Sequence, residues 1–252
     1  MQFDEVFSSN TFPEISTKNI FDNSTAEVIK QLERVKKFPL ENRANLAVGW
    51  VFEAIALIEN LESHHETNQQ REIRKIIENL FQNTDISLGE EWASKPDDVS
   101  VIFDSNGKPI IDEIVETKFS IKALEHGINK KQSQPEHSIQ TIEKIVDLLN
   151  TMTESVEFDD LEVIKQNKSG YRRKFLKNVY NKIKDLGVDD KITFSNNLKY
   201  HVILPKGEFK IIPPLKLSTK DGKSINVAIT RSKFTQDNIF RIIDHYAEDN
   251  IE

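Results

Sequence analysis

The sequence reads Lys95-Pro96-Asp97-Asp98-Val99-Ser100-Val101-Ile102-Phe103 and, after a short polar segment, Ile110-Ile111-Asp112-Glu113-Ile114-Val115-Glu116-Thr117-Lys118. Both stretches are rich in apolar residues, and Asn106-Gly107 lies between them. An Asn-Gly pair between apolar runs is the strongest local signal for a β-hairpin. We therefore predict two antiparallel strands, over about 98–104 and about 109–119.

A two-residue type I′ turn at Asn106-Gly107 would set the register of this hairpin. Counting along both strands then places Asp97 opposite Glu116, and Asp98 opposite Val115 on the other side of the sheet. Opposed residues of an antiparallel pair have Cβ atoms about 4.5–5.5 Å apart, so two carboxylates would repel each other at short range. A divalent cation is the usual reason for such an arrangement. A single β-bulge would exchange the two aspartates, so Asp98 is the second candidate.

Lys118 follows Glu116 by two residues and is therefore expected on the same face of its strand. Mg²⁺ binds a few carboxylate oxygens and keeps several waters, which leaves positions for phosphate oxygens. A neighbouring lysine can orient or deprotonate the attacking water and offset the charge that develops on the phosphate. Asp97, Glu116 and Lys118 thus favour phosphodiester hydrolysis. The alternative is an accidental match in a purely structural hairpin.

These residues resemble the motif of the PD-(D/E)XK nuclease superfamily, with Pro96-Asp97 as its first half and Glu116-Thr117-Lys118 as its second. The resemblance covers roughly residues 45–150. It implies an α/β fold of mixed α+β type, with a restriction-endonuclease-like central mixed β-sheet flanked by helices. It also implies cleavage of nucleic acid with Mg²⁺, for which Mn²⁺ can substitute. Asp97, Glu116 and the backbone carbonyl of Thr117 would bind the metal.

A third carboxylate lies on the helix that we predict over about 43–64. Glu53 falls on an apolar stripe at helical spacing, where an ionised carboxylate is costly unless it is paired or bound to metal. The stripe consists of Leu46, Trp50, Leu57 and Leu61. Superfamily members often carry a glutamate on this helix, so the resemblance implies that Glu53 is a catalytic residue and a metal ligand. The alternative is that Glu53 meets solvent at the edge of the stripe.

The charge of the chain is unevenly distributed. Residues 163–233 contain 17 Lys and Arg against five Asp and Glu, a local charge of +12, whereas the whole chain carries −7. This asymmetry points to a polyanionic partner, DNA or RNA. A helix starting at Ser169-Gly170 and ending near Asp185 would present basic side chains to phosphates. The candidates for these contacts are Lys168, Arg172, Arg173, Lys174 and Lys177.

Two features of this basic helix leave its role open. Its inward face is predicted to be Phe175, Val179, Lys182 and Leu186, and the lysine is an imperfect member. The alternative to phosphate contact is a solvated helix whose charges are answered by the acidic segment at 154–162.

The chain is predicted to be a single nuclease domain over residues 1–252. It would consist of an N-terminal arm over about 1–24, a core with the motif over about 25–150, and a basic C-terminal extension over about 163–252. Further helices are predicted at about 25–37, 68–82, 137–150 and 235–246, further strands at 200–204, 209–212 and 225–230, and a second hairpin turn at Asp221-Gly222. Gln140 is a candidate site residue, because some superfamily branches use a glutamine on the helix after the motif.

Composition limits the class of protein. There are no cysteines, which excludes disulfides and thiolate metal sites. No stretch has the length and apolarity of a transmembrane helix, and the N-terminus lacks the pattern of a secretion signal. We expect a cytoplasmic protein without a membrane partner.

The expected function is therefore a Mg²⁺-dependent endonuclease that cleaves DNA, most simply of the restriction type. A C2 homodimer is the expected assembly. RNA is not excluded as the substrate, and neither is a role in repair. The alternative from another class is a nucleic-acid-binding module with the same fold that lacks catalysis or needs a partner subunit.

Overall fold

The computed structural model describes residues 30–33, 40–63, 66–90, 94–128, 134–165, 169–188, 190–207 and 217–248. Three sequence predictions lie outside these residues: the N-terminal arm at 1–24, the strand at 209–212, and the phosphate contact of Lys168. Of the helix predicted at 25–37, residues 30–33 are described, and they are helical.

The described helices are α1 (Leu40–Ser63), α2 (Asn68–Gln82), α3 (Thr84–Ser87), α4 (Ile121–Ile128), α5 (Gln134–Glu154), α6 (Glu162–Lys165), α7 (Gly170–Asp185) and α8 (Gln236–Glu248). The described strands are β1 (Asp98–Phe103), β2 (Pro109–Thr117), β3 (Thr193–Lys206), β4 (Leu217–Ser218) and β5 (Ser224–Thr235). A short 3₁₀ turn covers Phe158–Asp160. None of the described helices is long and apolar enough to cross a membrane.

The five strands form one mixed sheet in the order β1-β2-β3-β5-β4. The β1–β2 and β4–β5 pairs are antiparallel, whereas β2–β3 and β3–β5 are parallel. The predicted mixed sheet is therefore confirmed. Its middle strand is β3, so the segment predicted as a basic C-terminal extension supplies the centre of the sheet.

Helices cover both faces of this sheet, because alternate residues of a strand point to opposite sides. Ile114 and Tyr200 belong to one apolar cluster, which they share with residues of α2, α5 and α7. Val115 and Ile203 belong to a second cluster, with residues of α1 and α8. The result is a three-layer arrangement in which α5 and α1 lie on opposite sides of the motif strands.

The hairpin has the predicted strands but not the predicted turn. Phe103 pairs with Pro109, so the loop holds five residues instead of two central ones. The Asp104 Oδ1 accepts hydrogen bonds from the backbone N–H groups of Asn106 (2.8 Å) and Lys108 (2.9 Å). Only Gly107 of the Asn-Gly pair has a positive φ, 81°, and a type I′ turn requires two such residues. The type I′ prediction is wrong: the Gly107 N–H donates to the Asp104 carbonyl and the Asp104 N–H to the Lys108 carbonyl, both at 3.0 Å, and the aspartate side chain adds its two bonds to this closure.

A β-bulge restores the predicted register toward the motif. The pairing shifts between Ser100 and Val101, with Asp112 as the extra residue of β2. Beyond the bulge, Asp98 pairs with Val115 as predicted. The Asp97 N–H donates to the carbonyl of Val115 at 3.0 Å, which continues the ladder one residue further.

The inward stripe of α1 differs from the prediction. The side chains that pack into the core are Val48, Val51, Phe52 and Ile55, at the helical spacing of three and four. Glu53 lies beside this stripe and is half-buried, as are Trp50 and Leu57. Of the predicted stripe, Leu57 packs partly buried against this cluster and Trp50 is half-buried, whereas the side chains of Leu46 and Leu61 lie outside the described residues.

The basic helix α7 begins and ends where predicted, and the Ser169 side chain caps it by accepting from the Arg172 N–H. Its buried residues are Leu176, Val179, Tyr180 and Ile183. Of the predicted inward face, Val179 is buried, and Phe175 and Leu186 pack partly buried against the same core cluster, whereas Lys182 is exposed. Because the buried face is centred on Leu176 and Tyr180, Lys182 lies on the exposed face of α7, where water solvates its charge.

The remaining elements are close to the predictions. Helix α5 extends beyond the predicted 137–150 at both ends, and β3 extends well beyond 200–204. The turn at Asp221-Gly222 joins β4 to β5, with the Thr219 N–H donating to the Lys223 carbonyl at 2.9 Å. Helix α8 buries Ile239, Ile242 and Ile243. Helix α4 was not predicted.

Candidate active site

The end of β2 brings Glu116 and Lys118 together. The Lys118 Nζ donates a short hydrogen bond to Glu116 Oε1, as expected for residues two apart on one strand face. Glu116 is only 1% exposed, and Lys118 is half-buried. The pair therefore lies in a largely dry part of the structure.

Asp97 is tied to the same segment across the hairpin. Its Oδ2 accepts hydrogen bonds from the Thr117 N–H at 2.6 Å and from the Thr117 hydroxyl at 2.7 Å. Thr117 thus contributes to the site by holding Asp97 in place. The predicted ligation of a metal by the Thr117 carbonyl stays a prediction.

The two carboxylates carry an electrostatic cost. Burial raises the pKa of Glu116 to about 7, and the negative charge of Asp97 adds to this effect, whereas Lys118 and Tyr200 oppose it. Burial also raises the pKa of Asp97, against the effects of the Lys118 charge and the Thr117 hydrogen bonds. Among the described residues, Lys118 is the cation whose charge acts on both carboxylates, and a bound cation would relieve the remaining repulsion.

Gln134 is a site residue that the sequence analysis missed. Its Nε2 donates to Glu116 Oε1 at 2.9 Å. A Cβ on Gly127 would lie 2.9 Å from Gln134 Oε1, so the glycine makes room for this side chain. Gln140, the predicted glutamine, lies six residues further along α5 and is exposed, and its role in the site stays a prediction. Gln134 was missed because the start of α5 was predicted at residue 137.

Tyr200 is the second residue that was missed. Its hydroxyl donates to Glu116 Oε2 at 3.2 Å, and its side chain is fully buried. Burial and the negative charge of Glu116 raise the pKa of Tyr200 well above its usual value, so it stays a hydrogen-bond donor. The sequence gives no signal for this contact, because it depends on the pairing of β3 with β2.

Asp98 occupies a different environment from Asp97. Its Oδ1 accepts from Arg74 NH1 at 3.2 Å and from the Val99 N–H at 2.8 Å. Arg74 also pairs with Glu66 at 3.1 Å, which makes a buried ionic network between α2 and β1. Burial raises the pKa of Asp98 to about 7, although Arg74 opposes the rise. Asp98 therefore serves the packing of β1 and is not part of the Glu116 cluster.

Glu53 is not brought into the cluster. Within the described residues, no group of three or more His, Cys, Asp or Glu side chains is placed to hold a metal ion. The physical reason is the layering: α1 packs on the sheet face of Val115, whereas Glu116 contacts Tyr200 and α5 on the opposite face. The predicted set of Asp97, Glu116 and Glu53 is therefore not assembled.

The two remaining carboxylates still fit Mg²⁺. Carboxylate oxygens are its preferred protein ligands, and Mg²⁺ is usually held by one or two of them together with water and substrate phosphates. Both hydrogen bonds that Thr117 donates to Asp97 go to Oδ2, which leaves Oδ1 for a ligand. On Glu116, Oε1 is shared by Lys118 and Gln134.

The basic helix is partly committed to the fold. Arg172 donates to the Ser87 carbonyl at 3.0 Å, so its guanidinium is partly engaged within the fold, and its predicted phosphate contact stays a prediction. Arg173 pairs with Asp159 and lies over the Phe158 ring, 5.7 Å from its centre. This pairing matches the alternative in which the acidic segment answers the helix. Lys174 and Lys177 are exposed.

No protein-family model, no curated protein and no solved structure matches this chain.

Proposed function

We propose that this chain is a Mg²⁺-dependent phosphodiester hydrolase of the PD-(D/E)XK type that cleaves DNA, most simply a restriction-type endonuclease. The supporting observation is the convergence of Asp97, Glu116 and Lys118 in one buried polar cluster. Part of the same proposal is that the mixed sheet with its flanking helices is a restriction-endonuclease-like fold, and that the active assembly is a homodimer.

In this proposal Asp97 and Glu116 hold the metal. Mg²⁺ held there would supply polarisation of the scissile phosphate and acidity of a coordinated water. The protein's contribution is to keep two carboxylates and one ammonium fixed before substrate arrives. Thr117 fixes Asp97, while Gln134 and Tyr200 fix Glu116.

Lys118 has the role of orienting the attacking water and of donating to the phosphate oxygen on which charge accumulates. Its ammonium already lies beside Glu116 Oε1, so it needs only a small displacement to reach a group bound at the carboxylates. In-line attack of water on the phosphorus would break its bond to the 3′ oxygen, which takes a proton and leaves as a hydroxyl, and would leave a 5′-phosphate if the chain follows the superfamily's usual outcome.

The contacts to the DNA backbone are proposed for the exposed part of α7. Lys174 and Lys177 are exposed, and Tyr171 beside them is 70% exposed. Lysine side chains bind phosphates through a sequence-independent, salt-dependent attraction. Arg172 and Arg173 are left out of this surface because their guanidinium groups are engaged within the fold.

A second candidate is a nucleic-acid-binding module that lacks catalysis or needs a partner subunit. It is favoured by the absence of a third acidic ligand from the cluster within the described residues. The direct ion pair between Lys118 and Glu116 favours it as well, because Lys118 then neutralises the Glu116 charge without a metal.

Cleavage of plasmid and of single-stranded DNA tests the proposal. The wild-type protein, Asp97→Ala and Lys118→Ala would be compared in Mg²⁺, Mn²⁺ and EDTA. Lys199→Ala is a matched control, because Lys199 pairs with Glu113 on the same sheet at 3.0 Å and lies outside the cluster. We expect cleavage by the wild type and the control only, and only with metal.

Each other outcome is informative. Discrete fragments would indicate a sequence-specific restriction enzyme, whereas a smear would indicate a nonspecific nuclease. Lys118→Ala cleaving as fast as the wild type would contradict the assignment. Salt-sensitive DNA binding without any cleavage would favour the second candidate.

A further inference from the structure

A carboxylate, an imidazole and a hydroxyl form a hydrogen-bonded triad across three neighbouring strands. Glu113 Oε2 lies 3.3 Å from His201 Nδ1, and His201 Nε2 lies 2.6 Å from Thr230 Oγ1. The three residues belong to β2, β3 and β5, which are adjacent and parallel. An imidazole between a carboxylate and a hydroxyl is the arrangement in which a histidine can act as a base toward that hydroxyl.

The register of the strands fixes the three side chains of this triad on one face of the sheet. The Cα partner of Glu113 is Lys199, and His201 follows Lys199 by two residues. The Cα partner of His201 is Ala228, and Thr230 follows Ala228 by two residues. Residues two apart in a strand point to the same side, so the triad runs diagonally across that face.

The triad lies on the face opposite to the Glu116 cluster. Val115 follows Glu113 by two residues, so it points to the same side, and it packs with residues of α1 and α8. Glu116 bonds to Tyr200 on the other face. The triad is therefore separate from the residues that we propose for DNA cleavage.

The protonation of the triad follows from its contacts. The hydrogen bonds that Glu113 accepts from His201 and from Lys199 lower the pKa of Glu113 to about 2, although burial opposes them, so this carboxylate is ionised at neutral pH. An ionised carboxylate can only accept hydrogen bonds, so His201 Nδ1 carries a proton. In the neutral imidazole Nε2 is then unprotonated, and the Thr230 hydroxyl donates to it. His201 is thus placed to take the proton of this hydroxyl.

Exposure increases along the triad toward the hydroxyl. Glu113 is 7% exposed and His201 is 9% exposed, whereas Thr230 is an exposed residue. The carboxylate and the imidazole are shielded from water, which strengthens the hydrogen bond between them. The hydroxyl can meet a molecule from solution, as a nucleophile must.

We propose that Thr230 is a nucleophile that accepts acyl groups from carboxylic esters, with His201 as its general base and Glu113 as the residue that orients His201. The Thr230 oxygen attacks the carbonyl carbon of the ester while its proton passes to His201 Nε2. The bond between that carbon and the alcohol oxygen then breaks, and the alcohol leaves with the proton from His201.

Water completes the reaction by the same route. It attacks the carbonyl carbon of the threonine ester while His201 takes one of its protons. The bond between that carbon and the Thr230 oxygen breaks, His201 returns the proton to this oxygen, and the carboxylic acid is released. This activity goes beyond the proposed function and is independent of it.

Hydrolysis of p-nitrophenyl acetate by the full chain tests the inference, in EDTA so that metal-dependent cleavage plays no part. Absorbance measures the release of p-nitrophenolate, and mass spectrometry of acid-quenched, digested protein locates the acetyl group. The variants are Thr230→Val, which removes the hydroxyl and keeps the side-chain shape, Thr230→Ser, which keeps a hydroxyl, and His201→Gln. Thr151→Val is the matched control, because Thr151 is also exposed and its hydroxyl donates to the Asp147 carbonyl at 2.8 Å.

We expect an acetyl group on Thr230 in the wild type. Thr230→Val and His201→Gln should release p-nitrophenolate about 100-fold more slowly or worse, because they lack the nucleophile and the general base. Thr230→Ser should retain acetylation at this position, and Thr151→Val should keep the wild-type rate.

Three results would overturn the inference. They are wild-type release by Thr230→Val, acetyl groups on lysines but none on Thr230, and acetylation of Thr230 in His201→Gln at the wild-type rate. Should His201→Gln fail to fold, the two variants at the exposed Thr230 decide, and equal release by Thr230→Val and Thr230→Ser would also overturn it.

Discussion

Glu116 has a raised pKa of about 7, and this has a consequence for stability. An acid whose pKa is higher in the folded state than its ordinary 4.5 favours folding in its protonated form. Its contribution is therefore fully present below pH 4.5 and is lost as the pH rises through 7. Ionisation of Glu116 at neutral pH destabilises the protein, and a bound cation would reverse this loss.

Glu116→Gln should remove this pH dependence. Between pH 5 and pH 8, in EDTA, we expect the free energy of unfolding of the wild type to fall by on the order of 2 kcal/mol more than that of the variant. Urea denaturation at both pH values measures the difference. Equal changes in the two proteins would show that folding does not raise the pKa of Glu116.

Replacing Arg74 should lower the free energy of unfolding far more than replacing a surface residue of the same helix. It is the cation between the buried Asp98 and Glu66, so Arg74→Met would leave carboxylates buried without a partner, at a cost of about 3–5 kcal/mol. Lys75→Met is the matched control, because Lys75 pairs with Glu72 in an exposed position and should cost less than about 1 kcal/mol. Chemical denaturation compares them. Equal losses would contradict a structural role for Asp98.

At the scale of elements, the hairpin shows what sequence can and cannot predict. Alternating apolar residues and the Asn-Gly pair were sufficient for β1 and β2, because both signals are local. The longer loop closed at Asp104 and the bulge at Asp112 are not visible in the pattern. The two errors in register cancel, so the proximity of Asp97 to the Glu116–Thr117 segment was predicted correctly for a partly wrong reason.

Replacing Gly127 in α4 with alanine should have opposite effects on thermal stability and on Mg²⁺ affinity. Alanine is favoured over glycine within a helix by about 1 kcal/mol, but the added Cβ would lie 2.9 Å from Gln134 Oε1. Gln134 would then lose its bond to Glu116. We expect Gly127→Ala to keep or raise thermal stability while lowering Mg²⁺ affinity by about tenfold.

The control for this variant is Gly170→Ala at the start of α7. There an added Cβ meets no atom within 4 Å, so Mg²⁺ affinity should not change. Calorimetry for the metal and thermal unfolding for stability give both quantities. Unchanged Mg²⁺ affinity in Gly127→Ala would remove Gln134 from the site.

For the whole molecule, the sequence located the positive charge but not its use. The +12 of residues 163–233 is real, yet part of it is answered inside the fold. Arg173 pairs with Asp159, Lys191 with Glu154 and Lys199 with Glu113. The Arg173 pairing matches the predicted alternative in which the acidic segment at 154–162 pairs with the helix, whereas Lys199 and Glu113 are 86 residues apart and meet only through strand pairing. The same is true of Tyr200, whose contact with Glu116 depends on strand order.

DNA binding should reflect this division of charges. If Lys174 and Lys177 contact phosphates, replacing both with alanine should reduce the slope of log affinity against log salt by about two. Arg173→Ala should leave the slope nearly unchanged, because Asp159 already answers its charge. Fluorescence anisotropy at several salt concentrations measures the slopes. A slope unaffected by the double variant would move the DNA-binding surface away from α7.

Because β3 lies at the centre of the sheet, the sheet around the motif can form during synthesis only after β3 has been made. Glu113 of β2 and Lys199 of β3 are 86 residues apart and bonded side by side. The Lys118 N–H donates a hydrogen bond to the carbonyl of Ile203 at 3.0 Å, and this bond also forms only once β3 is present. Until β3 has emerged from the ribosome, β2 has an open edge, which is prone to pairing with other chains. The motif is complete in sequence at residue 118, but its surroundings are complete only after residue 203, so a prematurely terminated chain would carry the motif residues without the site.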